Sequence, residues 1–73
     1  MFKNKNVLVT GGSGMIGRQL VKLLQKESAN VYVADLNEPI NMSGIIFKKI
    51  DLTNYISCLE ACQGMDYVFN LVG

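Results

Sequence analysis

A chain of 73 residues holds at most one domain, and a fold near this length buries only about 60% of the surface its unfolded chain exposes. Its composition is 49% hydrophobic and 18% charged with a net charge of +1, which argues against a disordered segment, a nucleic-acid surface or electrostatic attachment to a membrane. No apolar run approaches the roughly 20 residues of a membrane span, and Met1-Phe2-Lys3-Asn4-Lys5-Asn6 leads into a short strand instead of a signal-peptide core, so the expectation is a cytoplasmic protein.

The first predicted strand runs from Asn6 to Thr10 around the apolar triplet Val7-Leu8-Val9. It feeds directly into Thr10-Gly11-Gly12-Ser13-Gly14-Met15-Ile16-Gly17. Glycines three apart at Gly11, Gly14 and Gly17 allow a tight turn, a bare backbone against a pyrophosphate, and close packing of the next helix on its strand. The free N–H groups around Met15 and Ile16 would face the anion, and the helix dipole adds roughly half a positive charge there. Glycine clusters also make ordinary turns, so the surroundings decide. The run Asn30-Val31-Tyr32-Val33-Ala34-Asp35 reads as a second strand ending in a carboxylate eighteen residues after Gly17, close to the spacing of a residue that grips the adenosine ribose. Together these predict a dinucleotide-binding unit.

Between the two strands the predicted helix spans Ile16 to Lys26, with an apolar stripe of Ile16, Leu20, Leu23 and Leu24. Arg18, Gln19, Lys22, Gln25 and Lys26 form the wet face. Lys22 and Lys26 read as solvated surface with a favourable charge near the helix end. Arg18 reads as a surface arginine, with approach to a cofactor phosphate as the alternative.

After Asp35, residues 36–44 hold the only proline and are too few for the usual crossover helix of about a dozen residues, so a loop is expected. Ile45-Ile46-Phe47-Lys48-Lys49-Ile50 reads as a third strand, its lysines placing it at the edge of a sheet ordered 3-2-1-4. Asp51-Leu52-Thr53-Asn54 supplies a turn and an N-cap candidate for a second helix, with Tyr55, Ile56, Leu59 and Cys62 on one face and Gly64 as the stop. Met65-Asp66-Tyr67-Val68-Phe69-Asn70-Leu71-Val72 reads as a near-continuous apolar strand covered on both faces. Cys58 and Cys62 are one helical turn apart, and the chain contains no histidine. That predicts no metal site, and reduced thiols of which at least one is buried.

With these pieces placed, the whole chain resembles the start of the extended short-chain dehydrogenase/reductase family, the NAD-dependent epimerases and dehydratases acting largely on nucleotide sugars. Thr10 to Gly17 is similar to the TGGxGxIG turn of that family, Asp35-Leu36 to its acidic ribose reader, and Asp51-Leu52 to the Asp-Leu pair that recognises the adenine edge. Asp66-Tyr67-Val68-Phe69-Asn70-Leu71-Val72-Gly73 looks like the DxVFHLAA strand under the cofactor, with Asn70 where many members have histidine and Val72-Gly73 in place of two alanines.

The resemblance implies an α/β fold, the N-terminal part of a Rossmann doubly wound parallel sheet. It implies NAD as cofactor, with NADP less favoured, contacted by Gly11, Ser13, Gly14, Met15, Ile16, Gly17, Asp35, Asp51, Leu52, Leu71, Val72 and Gly73. The catalytic Ser or Thr and the Tyr-x-x-x-Lys pair of the family have no counterpart in residues 1–73, since none of Tyr32, Tyr55 and Tyr67 is followed by lysine four residues later. Residues 1–73 are therefore expected to be a partial NAD(P)-binding domain without catalytic residues, inactive alone, its substrate half absent. The intact protein is expected to act on a nucleotide sugar as a homo-oligomer. A non-catalytic NAD(P)-binding regulator or structural subunit with the same fold is the alternative.

Overall fold

The computed structural model describes residues 1–71, folded in the order β1 (Asn6–Thr10), α1 (Met15–Lys26), β2 (Asn30–Asp35), β3 (Ile46–Lys49), α2 (Tyr55–Cys62) and β4 (Tyr67–Asn70). The strands form one sheet in the order β3-β2-β1-β4, and every neighbouring pair is parallel, the α/β Rossmann-like topology expected. In register, Val7 stands opposite Val31 and Tyr67, while Thr10 stands opposite Ala34 and Asn70. At the start of β4 the Asp66 amide donates to the Asn6 carbonyl at 2.7 Å, and the Asn6 amide donates to Asp66 Oδ2 at 2.7 Å. That reciprocal pair pins β4 to the central strand.

Strand alternation sends successive side chains to opposite faces. Val7, Val9, Val31 and Val33 pack under Val21 and Leu24 of α1, with Leu20, Phe47 and Phe69 at the margins. Leu8, Ala34 and Ala61 of α2 form the core on the other face, joined by Tyr32, Ile50, Leu52 and Met65. Val7, Leu8 and Val9 are each 0% exposed. A strand covered on both sides reads as an unbroken apolar run, and each such side chain contributes about 1.5–3 kcal/mol of burial.

The inward faces of both helices differ from those expected. In α1 the buried residues are Gly17, Val21 and Leu24, whereas Ile16 and Leu23 are exposed. The cause is Gly17, which must face the glycine turn, so the positions four and seven residues later share its side of the helix. Ile16 and Leu23 then line up on a flank. In α2 the buried residue is Ala61, with Ser57 and Cys58 half-buried, while Tyr55, Ile56, Leu59 and Cys62 are exposed. Ala61 is small enough to let this eight-residue helix lie close over Leu8 and Ala34.

Neither thiol is buried, contrary to expectation: Cys58 is half-buried, its thiol donating to the Leu52 carbonyl at 3.3 Å, and Cys62 is exposed. The reason is again the rotation of α2 set by Ala61. Lys48 is more than an edge charge. Its ammonium donates to the Ala61 carbonyl at 3.2 Å, near the negative end of α2, and sits 5.1 Å from the centre of the Tyr32 ring. Among the described residues strand β4 covers Tyr67–Asn70, and both Tyr67 and Val68 are exposed because β4 is the outermost strand here, not one covered on both faces.

Asn54 is the N-cap of α2, its side chain accepting from the Ser57 amide at 3.1 Å, and Gly64 ends the following turn with a φ of +77°. Asn54→Ala is expected to lower the unfolding free energy by about 1 kcal/mol, read from the urea midpoint, and Asn54→Asp to retain most of it. An unchanged midpoint in Asn54→Ala would mean that packing alone holds α2.

Candidate functional site: the glycine turn and the strand ends around it

Because all four strands are parallel, Thr10, Asp35, Asp51 and Leu71 all lie at or just beyond the C-terminal ends of β1, β2, β3 and β4, and so along one edge of the sheet. From β1 the chain leaves toward β2 on one side, and from β3 it crosses to β4 on the other. The point where the order reverses is where ligands settle in open α/β sheets, and the glycine turn occupies it.

Four glycines of that turn have distinct tasks. Gly11 adopts a φ of +72°, which side-chain-bearing residues rarely reach, and its amide donates to the Ala34 carbonyl at 3.0 Å, tying the turn to β2. A Cβ on Gly12 would lie 2.9 Å from Val33 Cγ1, so the core itself requires glycine there. A Cβ on Gly17 would lie 2.5 Å from Gly12 Cα and 2.8 Å from the Gly11 carbonyl oxygen. Helix α1 therefore rests directly on the turn's backbone. Gly14 contrasts with Gly12 and Gly17: among the described residues a Cβ there would meet only the Gly11 carbonyl oxygen, at 3.8 Å. The packing role of Gly12 carried no distinct mark in the sequence, since it depends on which valine faces it.

Beyond Gly14 no side chain caps α1. The first helical hydrogen bond runs from the Arg18 amide to the Gly14 carbonyl at 2.9 Å, so the amides of Met15, Ile16 and Gly17 precede it. A cavity of about 350 Å³ opens here, lined by Gly11, Gly14, Met15, Ile16, Gly17 and Leu71. Unpaired amides, a positive helix end and a backbone without a side chain in the way form a fitting cradle for a phosphate group.

Asp35 is half-buried at the end of β2. Its Oδ2 accepts a hydrogen bond from the Ser13 hydroxyl, and its Oδ1 accepts from the Leu36 amide at 2.8 Å. Ser13 thus orients the carboxylate toward the turn while each carboxylate oxygen keeps a lone pair for a further donor. This brings together Gly11, Ser13, Gly14, Met15, Ile16, Gly17 and Asp35.

Asp51 and Leu52 stand farther along the same edge. Asp51 is exposed, and its Oδ1 accepts from the Thr53 hydroxyl at 2.6 Å and the Thr53 amide at 2.9 Å. Those bonds, the hydroxyl foremost, hold its carboxyl below the ordinary value. Its local work is to shape the turn from β3 to α2, while Leu52 packs against the core beneath. On β4, Asn70 Oδ1 accepts from the Thr10 hydroxyl at 2.7 Å, which ties β4 to the start of the glycine turn. Val72 and Gly73 lie outside the described residues.

A parallel sheet ordered 3-2-1-4, with a glycine turn leading from its central strand into a helix, defines a Rossmann-type nucleotide-binding fold. The chain belongs to the NAD-dependent epimerase/dehydratase family, which matches residues 7–73. An epimerase family protein of Staphylococcus aureus is 32% identical over 72 residues, covering 94% of this chain and 23% of that protein. Among solved structures, an epimerase from Methanothermobacter thermautotrophicus matches with a TM-score of 0.82 and 32% identity, covering 99% of this chain and 24% of the other. The enzyme WbmF of Bordetella bronchiseptica, in complex with NAD+, matches with a TM-score of 0.72 and 33% identity over 96% of this chain and 23% of its own, and it has also been solved with NAD+ and UDP. This chain spans about a quarter of the length of each of these proteins.

Proposed function

We propose that residues 1–73 are the cofactor-binding half of an NAD-dependent nucleotide-sugar epimerase, dehydratase or reductase, and that the residues for proton transfer to substrate lie outside them. The observation that carries this reading is the asymmetry of the turn. Gly12 and Gly17 are packed against neighbouring atoms, yet Gly14 faces open space beside three amides ahead of the first helical bond. Packing alone would not leave that side bare. When bound, NAD supplies the hydride acceptor. The chain's own residues do the rest of the holding: the Met15, Ile16 and Gly17 amides bind the pyrophosphate, Gly14 lets it approach, and Ser13 keeps Asp35 turned toward the ribose.

Asp51 and Leu52 are assigned to the adenine edge, and Leu71, Val72 and Gly73 to the strand passing beneath the cofactor. The WbmF complexes with NAD+ and UDP support a nucleotide-sugar substrate for the intact protein, which we take to act as a homo-oligomer. No helix among the described residues is long and apolar enough to cross a membrane.

Charge decides which dinucleotide fits. The Asp35 carboxylate accepts hydrogen bonds from the 2′- and 3′-hydroxyls of NAD, whereas the 2′-phosphate of NADP brings like charge against it. In the intact protein, NAD is expected to bind at least about tenfold more tightly than NADP, a difference that needs only about 1.4 kcal/mol. Asp35→Asn should narrow the gap. Titration of both cofactors against both proteins measures this, and tighter binding of NADP by the unaltered protein would end the assignment of Asp35.

A further inference from the structure

On the other flank of α1 from the glycine turn, a second cleft of about 390 Å³ lies between the helix and the segment joining β2 to β3. We propose that this cleft binds a phosphate monoester, independently of the pyrophosphate cradle. Its origin is the missing crossover helix. Residues 36–44 carry no helix, so only this loop stands over the flank of α1 that bears Arg18 and Lys22. These two are one turn apart and both line the cleft. Among the described residues neither makes an ion pair or a side-chain hydrogen bond, and no acidic residue lines the cleft.

The opposing wall is polar and held in place. Asn41 and Ser43 line it, and Gln25 of α1 donates through Nε2 to the Ser43 carbonyl at 2.8 Å, clasping the loop against the helix. A guanidinium fork, an ammonium, a hydroxyl and an amide around one hollow match the two negative charges and three acceptor oxygens of a phosphate monoester dianion. A bare cation pair on a helix would be solvated surface. Here the clasped loop makes it one wall of an enclosure.

Met15 lines both this cleft and the cavity at the glycine turn. The proposed occupant is a free small-molecule phosphate ester; the rival is the extra phosphate of a dinucleotide seated at the turn, which would make the cleft part of that site. The experiment separates the two. Inorganic phosphate is titrated calorimetrically into the unaltered intact protein and Arg18→Gln/Lys22→Gln, each saturated with NAD, and into Gly14→Val without dinucleotide, and NAD and NADP are titrated in parallel into all three.

For a free ester, inorganic phosphate binds the unaltered protein in the presence of NAD, binds roughly tenfold or more weakly to Arg18→Gln/Lys22→Gln, and keeps its affinity in Gly14→Val. For the dinucleotide's own phosphate, Arg18→Gln/Lys22→Gln loses affinity for NADP alone, with NAD unaffected. The first result supports the cleft as a separate site; the second assigns its charges to the dinucleotide site and overturns it. If the double substitution changes neither phosphate nor NADP binding, or if Gly14→Val and NAD both eliminate the phosphate signal, the cleft is not a phosphate site. Circular dichroism of each variant reports folding. Failure of NAD to bind the unaltered protein would bear on the function proposed for the turn, since the phosphate titration on Gly14→Val needs no dinucleotide.

Discussion

Gly14→Val in the intact protein is expected to abolish dinucleotide binding, by a factor of roughly a hundred or more, while leaving the unfolding midpoint nearly unchanged. Gly14 has a φ of −77° and a ψ of 177°, backbone that any residue adopts, and the nearest atom to its missing Cβ is 3.8 Å away. The fold therefore has no objection to a side chain there. A bound pyrophosphate would, because the branched side chain occupies the path by which it approaches the amides of Met15 and Ile16. The strain that a positive φ would have added is not present, so any loss is a loss of ligand. Parallel measurement of NAD affinity and urea midpoint separates the two. Unchanged affinity in Gly14→Val would reduce the turn to a structural element.

Three residues on, the balance is reversed. Gly17→Ala is expected to destabilise the fold by about 3 kcal/mol, near the upper end for overpacking, even though alanine is intrinsically favoured over glycine in a helix by about 1 kcal/mol. The new methyl would lie 2.5 Å from Gly12 Cα, 2.7 Å from the Gly12 carbonyl carbon and 2.8 Å from the Gly11 carbonyl oxygen. These are backbone atoms, with no flexible side chain to swing aside, and the turn they belong to is bonded to β2 through Gly11. Against a total stability of about 5–15 kcal/mol, such a loss would be visible in any equilibrium melt. A rise in midpoint would show that helix propensity outweighs the clash and that α1 can retreat from the turn.

The pair explains what was legible in the chain. Strand identity and order were readable because they rest on local signals: Val7-Leu8-Val9 as an unbroken apolar run, a glycine turn that begins a helix, and two lysines at an outer strand. The ends of β1 and β2 fell at Asn6, Thr10, Asn30 and Asp35 as read. Helix rotation was not readable. The stripe through Ile16, Leu20, Leu23 and Leu24 has good periodicity, but the decisive contact is made by Gly17, a residue with no hydropathy to register. The same holds for α2, where one alanine sets the inward face and leaves the larger apolar residues Tyr55, Ile56 and Leu59 outside. Periodicity says that a helix has faces; close approach of backbones decides which one turns inward.

Within the site, residue types pointed to Gly11, Gly14, Gly17 and Asp35, but not to how Ser13 acts. A serine in a glycine-rich turn carries no mark of its own until its hydroxyl is found to donate a hydrogen bond to the carboxylate twenty-two residues away. Asp51 was a candidate for the adenine edge, and its bonds to Thr53 describe a local turn that neither requires nor opposes that task.

The placement of β1 at the centre of the sheet also sets an order of events during synthesis. One edge of β1 can be satisfied once β2 is made, with Asn6 opposite Asn30, and the helix between them closes the unit locally. Its other edge must wait for β4, which joins it through the Asn6–Asp66 pair, sixty residues along the chain. Until Asp66 clears the ribosome, the edge of β1 opposite β2 lacks its native partner strand. Separations of that size slow pairing and prolong exposure of a strand edge, so the interval between completion of β2 and arrival of β4 is the time at which the nascent chain has most need of shelter.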